Sequence, residues 1–219
     1  MDKSKQPLTY KRLGSWGKFG NQLFQIASTI GIAVKQNRGY GFPEWKYQSF
    51  FKNPLPRLKG KDAWVDKYLQ DYRNFDHCKD LIRYYFEMKP ITVPLKDTVF
   101  IHFRAYGTEG VADRHPDQTR EYYKEAVKQF PNRKFVVFSD DKEKAKEVIG
   151  MGCEYRSGNE MEDFYLMSHC DGGIIANSSY SWWAGWLSGG KVVAPSYWFC
   201  GRKKNNDTSG LYLPNWIKI

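Results

Sequence analysis

The stretch GGIIANSSYSWWAGWLSGGKVVAP, residues 172–195, decides the fold. It opens on an apolar run (172–177), passes through a helical pattern (179–188) and closes on a second apolar run (191–195). Two short buried strands joined by a helix have the rhythm of a βαβ unit, which implies a parallel sheet. Upstream the same rhythm repeats. VFIHF (99–103) and KFVVFS (134–139) read as strands, and helices are expected near 119–130, from Lys142 to Ile149, and near 160–169. In the first of these helices Tyr122, Tyr123, Ala126, Val127 and Phe130 recur at helical spacing with charges between them. The C-terminal half is therefore expected to be α/β, a Rossmann-like parallel sheet covered by helices.

The first half is less regular. It offers a strand near Thr9 to Leu13, glycines at 14, 17 and 20, a helix from Leu23 to Lys35, and an aromatic stretch with prolines from Gly41 to Leu58. The prolines of KPITVP (89–94) interrupt helix and central strand alike. Two domains are expected, a reduced N-terminal α/β domain over 1–96 and a Rossmann-like domain over 97–219. With 41% apolar residues the chain can bury a core without staples. Its four cysteines form no CxxC pair, so neither a disulfide framework nor a zinc knuckle is indicated. No metal site is expected, since Asp140 and Asp141 are adjacent rather than spaced as DxD. No apolar run reaches membrane-spanning length and no apolar segment follows the basic N-terminus, so a cytoplasmic protein without stable membrane insertion is expected. The net charge of +10 favours an anionic partner, but no basic helix or basic-aromatic RNA motif is present, which argues against nucleic acid.

Ligands of open α/β sheets bind at the carboxyl ends of the strands, and three loops there carry chemistry. In VFIHFRAYGTEG (99–110), Arg104 leaves the strand where a guanidinium suits bidentate binding of phosphate or an ion pair with a carboxylate. His102 lies within the strand as a core histidine or a ligand contact. Glu109, in a glycine-flanked loop, has the chemistry of a general base. After the next strand come Ser139, Asp140 and Asp141. A carboxylate here either caps the following helix or accepts from a nucleobase N–H edge, as guanine offers. In the opening stretch Ser178 and Ser179 stand at a helix N-terminus, where hydroxyls and backbone N–H groups bind phosphate. Trp182, Trp183, Trp186 and Leu187 share one helical face and read as core. The GxxGxxG loop, glycines 14, 17 and 20, matches neither the dinucleotide nor the P-loop spacing.

Together, GKFGNQLFQIA (17–27), IHFR (101–104), VVFSDD (136–141), ANSSYSWWAGWLSGGKVVAP (176–195) and YLPNWIKI (212–219) resemble the GDP-fucose-dependent α-1,2-fucosyltransferases. The resemblance implies a GT-B-like fold and inverting, metal-independent transfer of L-fucose from GDP-β-L-fucose to a glycan, a galactoside by preference. No cofactor beyond the donor substrate is implied. It further implies that Arg104 binds the pyrophosphate and His102 lies against the nucleotide. Asp140 or Asp141, next to Ser139, reads guanine in this scheme, and Asn177, Ser178, Ser179 and Tyr180 hold the donor at the helix start. Gly20, Asn21 and Gln22 match a GNQ loop that faces the donor. The family's HxRRxD pattern departs here to HFRAYG, with Ala105 and Gly107 at the places of an arginine and an aspartate. The following GTEGVADRHP is similar to α-1,6-fucosyltransferases, which implies Glu109 as the base and Asp113 as runner-up. A GDP-sugar-binding protein without catalysis, or a transferase of different linkage, is the alternative expectation.

Overall fold

The computed structural model describes residues 6–58, 63–65 and 67–219; the side chains of Thr108 and Glu109 lie outside the described residues. The chain divides into two compact units, Met1–Lys89 with Ser209–Leu211, and Pro90–Thr208 with Tyr212–Ile219.

The first unit is built around α1 (Phe19–Lys35), of which thirteen residues are buried. Its sheet is minimal: β1 (Leu8–Thr9) pairs in parallel with β2 (Ala63–Trp64). A second helix, α2, spans Lys79–Tyr85. The expected strand at Thr9–Leu13 thus lies earlier and is shorter. Helix α1 begins four residues before the expected Leu23, because Gly20 belongs to its first turn rather than to the loop. Gly31 lets α1 approach the next segment closely, since a Cβ there would lie 2.0 Å from the Asn74 carbonyl oxygen.

The second unit holds six parallel strands in the order β5-β4-β3-β6-β7-β8, with β3 at Thr98–Phe103, β4 at Lys134–Ser139, β5 at Glu154–Arg156, β6 at Gly172–Ile174, β7 at Lys191–Ala194 and β8 at Ile217–Lys218. The helices α3 (Arg120–Val127), α4 (Lys142–Ile149), α5 (Glu160–Ser168) and α6 (Ser179–Ser188) connect β3 through β7 in chain order. All six residues of β3 are buried, as a central strand covered on both faces requires. Alternation then sorts them. Val99, Ile101 and Phe103 join Tyr122, Tyr123, Ala126, Ala145 and Ile149 in one core with α3 and α4. His102 faces the other side, where its ring lies 5.6 Å from that of Tyr180 on α6. At Gly173 in β6 a Cβ would lie 2.2 Å from the Phe100 ring, so only glycine admits that phenylalanine.

The tryptophans of α6 are core, as expected. Trp182 and Trp183 are fully buried, and their rings pack at 5.0 Å, with Trp183 against Trp186 at 5.3 Å and Trp182 against Trp216 at 5.3 Å. They anchor the helix whose first turn reaches the carboxyl edge of the sheet. No helix of the described residues is long and apolar enough to cross a membrane.

Candidate active site

The strand order reverses at β3: the chain runs outward through β4 and β5, then returns to place β6 on the other side of β3. Such a switch point opens a crevice at the carboxyl ends of the two strands. Residues 102–106 stand at one side of it and residues 175–180 at the other. Tyr106 joins the two, its hydroxyl donating to the Asn177 carbonyl at 2.8 Å. Helix α3 braces both strands from below. Tyr122 donates to the Ile175 carbonyl at 2.7 Å and Tyr123 to the His102 carbonyl at 3.0 Å.

Arg104 emerges here with its side chain 17% exposed and forms a short ion pair through Nη1 with Asp140 Oδ2. The other carboxylate oxygen accepts from the Ala105 N–H at 3.1 Å. The Arg104 guanidinium also lies 5.6 Å from the Tyr106 ring centroid. An arginine held by one carboxylate and one aromatic face loses little further freedom on meeting a phosphate. His102 is buried, and its Nδ1 has no hydrogen-bond partner among the described residues. Burial, reinforced by the nearby Arg104 charge, holds its pKa down to about 3, so the imidazole is neutral.

Across the crevice Ser178 is the N-cap residue of α6, yet its side chain makes no capping bond. The first N–H groups of a helix have no intrahelical acceptor, and the helix start carries partial positive charge. Ser179 and Tyr180 are half-buried in the first turn, and the Tyr180 hydroxyl donates to the Glu160 carbonyl at 2.5 Å. The edge thus presents a guanidinium, a helix N-terminus and serine hydroxyls, a set suited to a diphosphate.

Several expected site residues are engaged elsewhere. Asn177 is a strut: its Nδ2 donates to the Trp198 carbonyl at 3.0 Å and its Oδ1 accepts from Gln118 Nε2 at 3.0 Å. Asp141 caps α4, accepting from the Lys144 N–H at 2.9 Å, and Ser139 Oγ bonds the Asp141 backbone on both sides. Asp140 serves Arg104. Asp113 is exposed beside Arg114 (3.7 Å) and Arg202 (3.5 Å). Gly20, Asn21 and Gln22 belong to the first unit. There Gln22 donates to the Gly17 carbonyl and accepts from Trp45 Nε1, and Asn21 Oδ1 accepts from Gln70. Glu109 ends a 3-10 turn, Tyr106–Glu109, whose backbone is described while the Glu109 side chain is not. The reading of the sequence missed Tyr106, Asp117 and Gln118, which brace this edge. Nothing in their local sequence marks them, because each acts through a folded contact.

The family model described as Glycosyl transferase family 11 matches residues 111–219. Over that C-terminal stretch the chain is similar to family 11 glycosyltransferases. The O-antigen biosynthesis glycosyltransferase WbnK of Escherichia coli is 29% identical over 228 aligned residues, spanning 90% of this chain and 72% of that protein. An alpha-1,2-colitosyltransferase of Escherichia coli is 39% identical over 95 residues, which are 37% of this chain and 33% of that one. Among solved structures, the fucosyltransferase NodZ from Bradyrhizobium aligns with a TM-score of 0.50 at 12% identity, covering 82% of this chain and 92% of that one. That likeness is one of fold, and it agrees with the expected GT-B-like α/β class and its parallel sheet. The matched family and both relatives are glycosyltransferases, and the protein is a glycosyltransferase.

Proposed function

We propose that the protein transfers L-fucose from GDP-β-L-fucose to a hydroxyl of a glycan acceptor, a galactoside in α-1,2 linkage, with inversion and without a metal ion. The observation that carries this reading is Arg104, fixed by Asp140 at the switch point opposite the start of α6. In an inverting transfer the bond from the anomeric carbon to GDP breaks while the acceptor oxygen attacks from the opposite face. Positive charge builds at the anomeric carbon and negative charge on the leaving diphosphate. Arg104, the first-turn N–H groups of α6 and the hydroxyls of Ser178 and Ser179 meet that negative charge as preorganised donors. A neutral His102 adds no competing cation beside Arg104.

The acceptor proton passes to Glu109 in this scheme, with Asp113 the runner-up. Of the two aspartates, Asp140 is committed to Arg104. Asp141 is left for guanine, since its cap uses one of its two oxygens. The GNQ loop and the acceptor-side role of residues 1–96 belong to the same reading, as does a cytoplasmic location. The match to an alpha-1,2-colitosyltransferase favours a second reading, in which colitose replaces fucose on the donor.

The test is GDP release by the purified protein in EDTA, with GDP-fucose, GDP-colitose and GDP-mannose as donors and a panel of galactosides as acceptors. Product configuration is read by NMR. Acceptor-dependent release from GDP-fucose with an α-linked product supports the proposal, and release from GDP-colitose alone selects the second reading. Donor binding without turnover on any acceptor refutes both.

A further inference from the structure

We propose that Asp117 is a positioning residue for acceptor deprotonation, because its carboxylate fixes the turn that presents Glu109. The inference rests on the assignment of Glu109 as base given above. Asp117 Oδ1 accepts from the Tyr106 N–H at 2.6 Å and from the Gly107 N–H at 3.3 Å. These are the opening N–H groups of the 3-10 turn Tyr106–Glu109, which have no acceptor within the turn itself. The carboxylate therefore does for this turn what a capping side chain does for a helix, but from ten residues downstream.

The rest of the turn is held by other means. The Tyr106 ring stacks on His115 at 5.0 Å, and its hydroxyl is bonded to the Asn177 carbonyl. At the exit Gly110 adopts a φ of 65°, a left-handed conformation that glycine takes without strain. The residue after Asp117 extends the same bracing. Gln118 is buried and donates to Asn177 Oδ1, immediately before Ser178 at the start of α6. Residues 117 and 118 thus tie the base-bearing turn and the diphosphate-binding helix start to one short segment. Asp117 acts through backbone N–H groups rather than on the reacting atoms, so its removal is expected to slow transfer without loosening the donor.

The test compares Asp117→Ala and Asp117→Asn, each alone and combined with Glu109→Gln, with donor affinity read by calorimetry and folding by thermal melts. Asp117→Ala should lower kcat by ~10- to 100-fold, the scale of a misplacement near 1 Å. GDP-fucose affinity should stay within about twofold, as expected when an interaction of the transition state alone is lost. Asp117→Asn keeps an oxygen that accepts the same two N–H groups, so it should retain most of the rate and the melting temperature. In the Glu109→Gln background Asp117→Ala should add little, because both changes act on one step. A parallel loss of donor affinity, a full additional loss on top of Glu109→Gln, or Asp117→Asn as poor as Asp117→Ala would overturn the inference. Absence of turnover by the unchanged protein, or full turnover by Glu109→Gln, refutes the base assignment and the inference with it.

Discussion

Acid should weaken this fold through His102. The imidazole is buried on β3 with its pKa held down to about 3, whereas an unfolded chain offers an ordinary histidine near ~6.5. Between these values the unfolded state binds a proton that the native state refuses, so stability falls as pH falls. The loss begins below about pH 6.5 and levels off below about pH 3. In that window it amounts to ~1.4 kcal/mol per pH unit, or about 2 kcal/mol between pH 7.5 and pH 5.0. Urea unfolding of the wild type and of His102→Gln at these two pH values isolates the contribution, since other titrating groups act on both proteins. The wild type should lose about 2 kcal/mol more than the variant on acidification. Equal losses would show that His102 titrates normally, and would refute its burial as a neutral group beside Arg104.

Other outcomes follow from single contacts. Asp140→Ala leaves Arg104 without its carboxylate partner and should weaken GDP binding through loss of orientation, whereas Asp140→Asn, which still accepts from Ala105, should be milder; equal affinities by calorimetry would contradict this. Asn177→Ala leaves buried Trp198 and Gln118 groups without their partner and should cost about 2–4 kcal/mol in urea unfolding, as two buried polar groups would. Gly31→Ala drives a methyl group into the Asn74 carbonyl and should cost about 1–3 kcal/mol or more, with an unchanged melting temperature counting against the close approach of α1.

Much of the second unit was legible because its strands and helices announce themselves by period. Lys134–Ser139, Lys142–Ile149 and Ser179–Ser188 have the bounds that their patterns imply. The strands β5 (EYR) and β8 (IK) were not read, since neither is an apolar run and both owe their state to a neighbour's backbone. Arg104 was legible as a cation leaving a buried strand at its ligand end. Its partner was not, because a sequence does not say which of two adjacent aspartates turns back 36 residues to meet it and which caps a helix. Asn177 looked like part of a polar ligand loop, yet it is a strut between segments 59 residues before and 21 after it. Such roles arise only when the strand order brings β3 and β6 together.

The central claim is that a GDP-sugar diphosphate binds at the β3–β6 switch point against Arg104. It is tested most directly by titrating GDP into the wild type and into Arg104→Ala by calorimetry, with circular dichroism confirming that both are folded. Binding by the wild type that weakens at least ~100-fold in the folded variant, the scale of a principal charge contact, is the predicted result. GDP binding of equal strength in both proteins would place the diphosphate elsewhere and contradict the account.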